Sequence, residues 1–267
     1  MPISDLVERT IKEIAPLDET AMAAARARQD QLTKPLGSLG RLEELSIQLA
    51  GIFGEATPVI RRKTVILAAG DHGVVDEGVS AYPQDVTSAM VMNFLGGGAA
   101  INVLSSHGGA DIIILDAGVA VELPPHPSLR SVKIGWGTGN IAVGPAMTEE
   151  QAIQCLETGI ETAREQIAAG SDLLACGDMG IGNTTPSSAI TSVITGAGTD
   201  VTTGRGTGLD DAGLAHKASV VKRAIDVNKP DSKDGLDVLM KVGGFEIGVL
   251  AGVFLGAAAG RRPVIVD

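Results

Sequence analysis

Four short apolar runs punctuate the chain: Thr64–Ala69, Ile112–Leu115, Leu173–Cys176 and Pro263–Val266. Each is bounded by glycine, proline or charged residues, the pattern of strands covered on both faces. Longer stretches between them repeat their apolar residues every three or four positions and predict helices. Helix is expected over 4–31, with Ser4 as a cap, and again where Leu42, Leu45, Leu49 and Ile52 recur before Gly54. Further helices are expected over 85–94, 99–107, 148–169, 186–194 and 211–227, from Asp234, and over 245–259. Strands that alternate with helices predict an α/β fold, a doubly wound, mostly parallel sheet flanked by helices in Rossmann-like fashion. Residues 1–60 carry helical signals alone and are read as a small helical subdomain; 61–267 are read as the α/β domain.

The chemistry gathers where strands end, the usual place for it in an open α/β sheet. After the third run comes Gly177-Asp178-Met179-Gly180-Ile181-Gly182-Asn183, three glycines around one carboxylate, followed by Thr184 and Thr185 as N-cap candidates and Pro186. Strand, glycine turn and helix start can aim backbone N–H groups at an anion, so a phosphate-bearing ligand beside a carboxylate is one expectation. A tight turn that needs glycine for backbone geometry alone is the other. After the first run stands Gly70-Asp71-His72-Gly73; His72 there orients the loop or a ligand, or is purely structural. A second glycine loop spans 203–208, and Lys217 on the following helix either reaches an anion at the 180–185 turn or sits on a solvated face.

Composition narrows the function. A net charge of −11 argues against a nucleic-acid surface. The start of the chain lacks the charged-then-apolar pattern of a secretion signal, and the most apolar stretch, 247–259, is short for a bilayer, so a cytoplasmic protein off the membrane is expected. Cys155 and Cys176 are expected as buried free thiols. The spacing of His, Cys and acidic residues offers no metal ligand set, and no cofactor is expected.

Five motifs then occur in order: Lys34-Pro-Leu-Gly-Ser-Leu-Gly-Arg-Leu-Glu43, Asp71-His-Gly-Val74, Gly139-Asn-Ile-Ala-Val-Gly-Pro-Ala-Met147, Gly180-Ile-Gly-Asn-Thr-Thr-Pro186 and Lys241-Val-Gly-Gly-Phe245. In these the chain resembles the nicotinate-nucleotide–dimethylbenzimidazole phosphoribosyltransferases of vitamin B12 lower-ligand assembly, over essentially its whole length. The resemblance implies transfer of the phosphoribosyl group of nicotinate mononucleotide to 5,6-dimethylbenzimidazole, with inversion at C1′, no metal and a homodimer. It implies that Gly180, Gly206 and Lys217 hold the nucleotide, together with Gly182, Asn183 and Thr184 of the turn. Asp178 matches a site-facing carboxylate that is usually Glu in the family. Tyr82, Met90 and Met179 match the lining of the base pocket, and Asp71 and His72 are placed with them. The family's general-base Glu is expected beyond Asp267, in a C-terminal part this chain lacks, which makes a non-catalytic nucleotide- or base-binding module the alternative.

Overall fold

The computed structural model describes residues 4–266. Three helices come first: α1 (Asp5–Glu13), α2 (Glu19–Gln31) and α3 (Arg41–Phe53). The single helix expected over 4–31 is therefore two. Pro16 has no N–H to donate to a continuing helix, and Asp18 starts a new one by accepting the Ala21 N–H at 2.9 Å. The α/β part follows as β1 (Lys63–Gly70), α4 (Val86–Leu95), α5 (Ala100–Gly108), β2 (Ala110–Gly118), β3 (Leu129–Ser131), α6 (Glu149–Ala168) and β4 (Leu173–Met179). It continues as α7 (Thr184–Thr195), α8 (Thr199–Thr202), α9 (Asp211–Asn228), α10 (Gly235–Val242), α11 (Phe245–Ala259) and β5 (Val264–Ile265). The brief β3 and α8 had no sequence signal.

All the described strands run parallel, in the order β3-β2-β1-β4-β5. Strand β1 lies between β2 and β4, so the chain winds outward from it in both directions. This leaves a crevice beyond the carboxyl ends of β1 and β4, the position where doubly wound sheets take ligands. Alternate side chains of β1 serve different cores. Ile66 and Ala68 pack with α11, α6 and α10, whereas Leu67 and Ala69 pack with α4 and α5. Residues 86–108 are apolar on average and carry no Asp, Glu, Lys or Arg, but glycines at 96–98 split them into helices of 10 and 9 residues. Each is only about 15 Å long, half of a bilayer core.

The covering helices touch through backbone. Helix α11 is apolar around its circumference, with Gly248, Gly252 and Gly256 forming one stripe against Cys155, Gly159 and Ala163 of α6. A Cβ on Gly159 would stand 1.9 Å from the Val249 carbonyl oxygen, and one on Gly252 would stand 2.1 Å from that of Leu156. No side chain fits at either place. Helix α1 packs on α6 and α11, while α2 and α3 pack on each other. The Arg261 guanidinium ties the N-terminal helices to the end of α11 by donating to the carbonyls of Gly51 (2.7 Å) and Pro16 (3.3 Å).

Candidate active site

At the crevice, β1 and β4 end side by side, with Ala69 opposite Met179. Asp71 and His72 leave β1 into a turn clamped by the glycine loop of 135–140. The Thr138 N–H donates to the Asp71 carbonyl at 2.9 Å, and the Gly73 N–H donates to the Thr138 carbonyl at 3.1 Å. One Asp71 carboxylate oxygen accepts the Ala120 N–H at 2.8 Å, while the other is buried with no hydrogen-bond partner among the described residues. Burial raises the Asp71 pKa, partly opposed by that N–H.

His72 is buried, and its Nε2 bonds the carboxylate of Glu246 at 2.8 Å. Glu246, itself fully buried, occupies the first turn of α11. The ring fits because the chain around it lacks side chains: a Cβ on Gly244 would come within 2.6 Å of Cε1, and one on Gly180 within 3.1 Å of Nε2. Glu246 was not among the residues singled out from sequence. Its signal was there, as the one acidic residue in an otherwise apolar helix.

Asp178 lines a cleft of about 470 Å³ whose walls include Leu67, Met90, Phe94, Ile101 and Leu250. Burial and then repulsion from Glu246 raise its pKa, opposed by a hydrogen bond from the Asn183 amide and by His72. Asn183, rather than Thr184 or Thr185, stands at the N-cap of α7, and its side chain serves Asp178 instead of capping; both threonines are helical. The N–H groups of Ile181, Asn183 and Thr185 go to Thr87 Oγ1 and to the carbonyls of Gly180 and Gly182. These three donors are satisfied within the protein, so the turn offers an anion less backbone than its sequence implied.

What the turn offers instead is Lys217. It is 1 % exposed, and its ammonium donates to Thr184 Oγ1 at 2.5 Å beside Gly206, whose φ is +52°. Burial lowers its pKa, and among the described residues no carboxylate pairs with it. An unpaired buried ammonium is costly, by several kcal/mol, unless an anion joins it. Lys217 is not on a solvated face.

The two ends of the turn thus carry opposite charges, Asp178 through Asn183 and Lys217 through Thr184. Thr207 Oγ1 latches the second glycine loop to the loop of 80–82 by accepting the Ala81 N–H at 2.8 Å. Tyr82 on that loop is 55 % exposed and lies outside the cleft that Met90 and Asp178 share. Met179 is half-buried and packs with the core under α4 and α5. Both cysteines are free; Cys155 is buried, and burial pushes the half-buried Cys176 thiol up to about 11. Among the described residues, no group of three or more His, Cys, Asp or Glu is arranged to hold a metal ion.

Comparison with known proteins gives this geometry a family. Residues 14–267 match a family model described as phosphoribosyltransferase. Nicotinate-nucleotide–dimethylbenzimidazole phosphoribosyltransferase of Roseiflexus sp. (strain RS-1) is 58% identical over 262 residues, 98% of this chain and 74% of the relative. The protein of that name from Chloroflexus aurantiacus (strain J-10-fl) is 56% identical over 263 residues, 98% of this chain and 75% of its own length. The crystal structure of CobT from Thermus thermophilus superposes with a TM-score of 0.89 at 47% identity, covering 93% of this chain and 74% of that one. On fold, sequence and motif order together, the chain belongs to the nicotinate-nucleotide–dimethylbenzimidazole phosphoribosyltransferase family.

Proposed function

We propose that the protein transfers the phosphoribosyl group of nicotinate mononucleotide to 5,6-dimethylbenzimidazole, giving α-ribazole 5′-phosphate and nicotinate for the lower ligand of cobalamin. A ring nitrogen of the base attacks C1′, the bond from C1′ to the nicotinate nitrogen breaks, and its electron pair leaves with nicotinate. The azole N–H proton must also be removed. Lys217, with Thr184 and Gly206, is the phosphate end of the site, and Gly180, Gly182 and Asn183 shape the turn between phosphate and pentose. Asp178 faces the pentose, where a carboxylate favours the positive charge that develops at C1′. Met90 and Asp178 border the cleft for the flat base, with Met179 packed behind it; Asp71, His72 and Tyr82 belong to the loops that frame the site. A cytoplasmic homodimer is part of the same proposal, the dimer being open to sedimentation measurement.

The single observation that carries the assignment of the site is Lys217, a buried ammonium with a hydroxyl partner and, among the described residues, no carboxylate. Its test is Lys217→Ala in calorimetry. Nicotinate mononucleotide should lose about 1.5–3 kcal/mol of binding, the range of a charge-assisted contact, while dimethylbenzimidazole keeps its affinity. Equal losses for the two ligands would remove Lys217 from the phosphate site. Chromatography of the wild-type reaction for α-ribazole 5′-phosphate tests the transfer itself.

A further inference from the structure

Among the described strands, glycine occurs at Gly70 of β1, Gly118 of β2 and Gly177 of β4. At the first two the protein leaves no room for a side chain. A Cβ on Gly70 would come within 2.8 Å of Glu246 Oε2, and one on Gly118 within 2.4 Å of Phe245 Cδ2. Gly177 is different. Its φ lies outside the left-handed region, and a Cβ there would meet only Ile101 Cδ1 at 3.5 Å and Leu67 Cδ1 at 3.7 Å, ordinary packing distances. Glycine weakens a strand, since it loses more freedom on folding than any other residue and has no side chain to pack. Neither backbone conformation nor crowding by the described residues accounts for it at this position.

The room beside Gly177 belongs to the cleft of about 470 Å³. Leu67 and Ile101, the two side chains its Cβ would touch, are both walls of that cleft, and Gly177 lines it between Cys176 and Asp178. The methyl of Gly177→Ala would therefore project into the cleft. Among the described residues, β5 pairs with β4 only at Leu174 and Ala175, so the cleft rather than a strand lies beside β4 beyond them. The lining around Gly177 is apolar, with Met90, Phe94, Ile101 and Leu250, and Asp178 marks its polar end. We propose that Gly177 is a specificity-determining residue: its missing side chain keeps the cleft open for the methyl-bearing ring of a bicyclic aromatic base, whose nitrogen edge turns to Asp178 and the pentose. This rests on the assignment of the cleft to the base in phosphoribosyl transfer. One methyl more or less in an apolar pocket changes discrimination by roughly 10- to 200-fold. A single added carbon at 177 is thus enough to set which bases enter.

The experiment compares the wild type with Gly177→Ala in the whole chain, by scanning calorimetry for Tm and by titration with dimethylbenzimidazole, unsubstituted benzimidazole and nicotinate mononucleotide. Tm should hold or rise, because the strand backbone at 177 suits alanine, which also has less freedom to lose from the unfolded chain. Dimethylbenzimidazole should lose roughly 10- to 200-fold in affinity. Benzimidazole, which lacks both methyls, should lose much less, and nicotinate mononucleotide should keep its affinity because Lys217 is untouched. A merely structural glycine would instead lower Tm and weaken all three ligands together. A lower Tm, or a variant that does not fold, overturns the proposal. So do equal losses for the two bases, or unchanged binding of dimethylbenzimidazole. If the wild type binds dimethylbenzimidazole but forms no α-ribazole 5′-phosphate, the functional reading fails while the affinities still decide Gly177. A wild type that binds neither base takes the base out of the cleft, and the role of Gly177 falls with it.

Discussion

Asp178 illustrates how a single residue can work against the fold that holds it. Its pKa is raised, so the folded protein binds its proton more tightly than the unfolded chain does. The linkage sign follows: the ionised group begins to destabilise the fold as pH climbs past the ordinary Asp value of about 4, and fully so above the folded pKa. Asp178→Asn should therefore raise Tm at pH 7 only slightly, by about 1 °C or less because the residue is exposed to solvent, and should give no gain at pH 3. The same substitution should lower transferase turnover. Scanning calorimetry at the two pH values checks the first expectation, and a Tm gain that is equal at both would refute it. Asp178 was legible in the sequence because it stands among three glycines after a strand. Lys217 was visible only as one of two alternatives, since no periodicity tells a helical lysine that points inward from one that points to water. Glu246 was missed because its partner, His72, lies 174 positions away, and only the sheet brings them together.

At the scale of elements, the crossing of α6 and α11 is the least forgiving contact. Gly252→Ala would push a methyl into the Leu156 carbonyl oxygen, and the helices would have to separate. Overpacking of this kind costs about 1–3 kcal/mol, and here the obstacle is backbone rather than a side chain that can rotate away. Tm should drop by about 2–4 °C for each kcal/mol lost. Turnover should fall as well, since α11 packs on β1 and β4, whose ends carry the site. Ala251→Gly, one position along on the exposed side, is the control: a comparable loss of activity there would place the cause outside the crossing. Most elements could be read from their periods, and α11 has the limits its apolar run gave. The errors share a cause. Elements of three or four residues, β3 and α8, are too short to show a period, and the break at Pro16 hid between two good helical stretches.

The whole molecule carries information that no single stretch holds. Alternation of strands and helices indicated a parallel sheet, but the order β3-β2-β1-β4-β5, and with it the crevice between β1 and β4, follows from how the strands pair. The helix-on-helix crossing also bears on when different parts of the molecule come apart. Regions of a folded protein open separately, at free energies from near zero up to that of complete unfolding, and tightly packed central helices are the last to open. Amides of residues 249–256 should accordingly exchange with deuterium only through complete unfolding, with the slowest rates in the chain, whereas those of 78–82 and 204–208, in the exposed loops near Lys217, should exchange through small local openings. Mass-resolved exchange would distinguish the two, and rapid exchange across 249–256 would contradict the packing described. The consequence concerns time: the loops of 78–82 and 204–208 can open and close many times during one lifetime of the fold while Glu246, anchored at the head of the slowest helix, keeps its hold on His72.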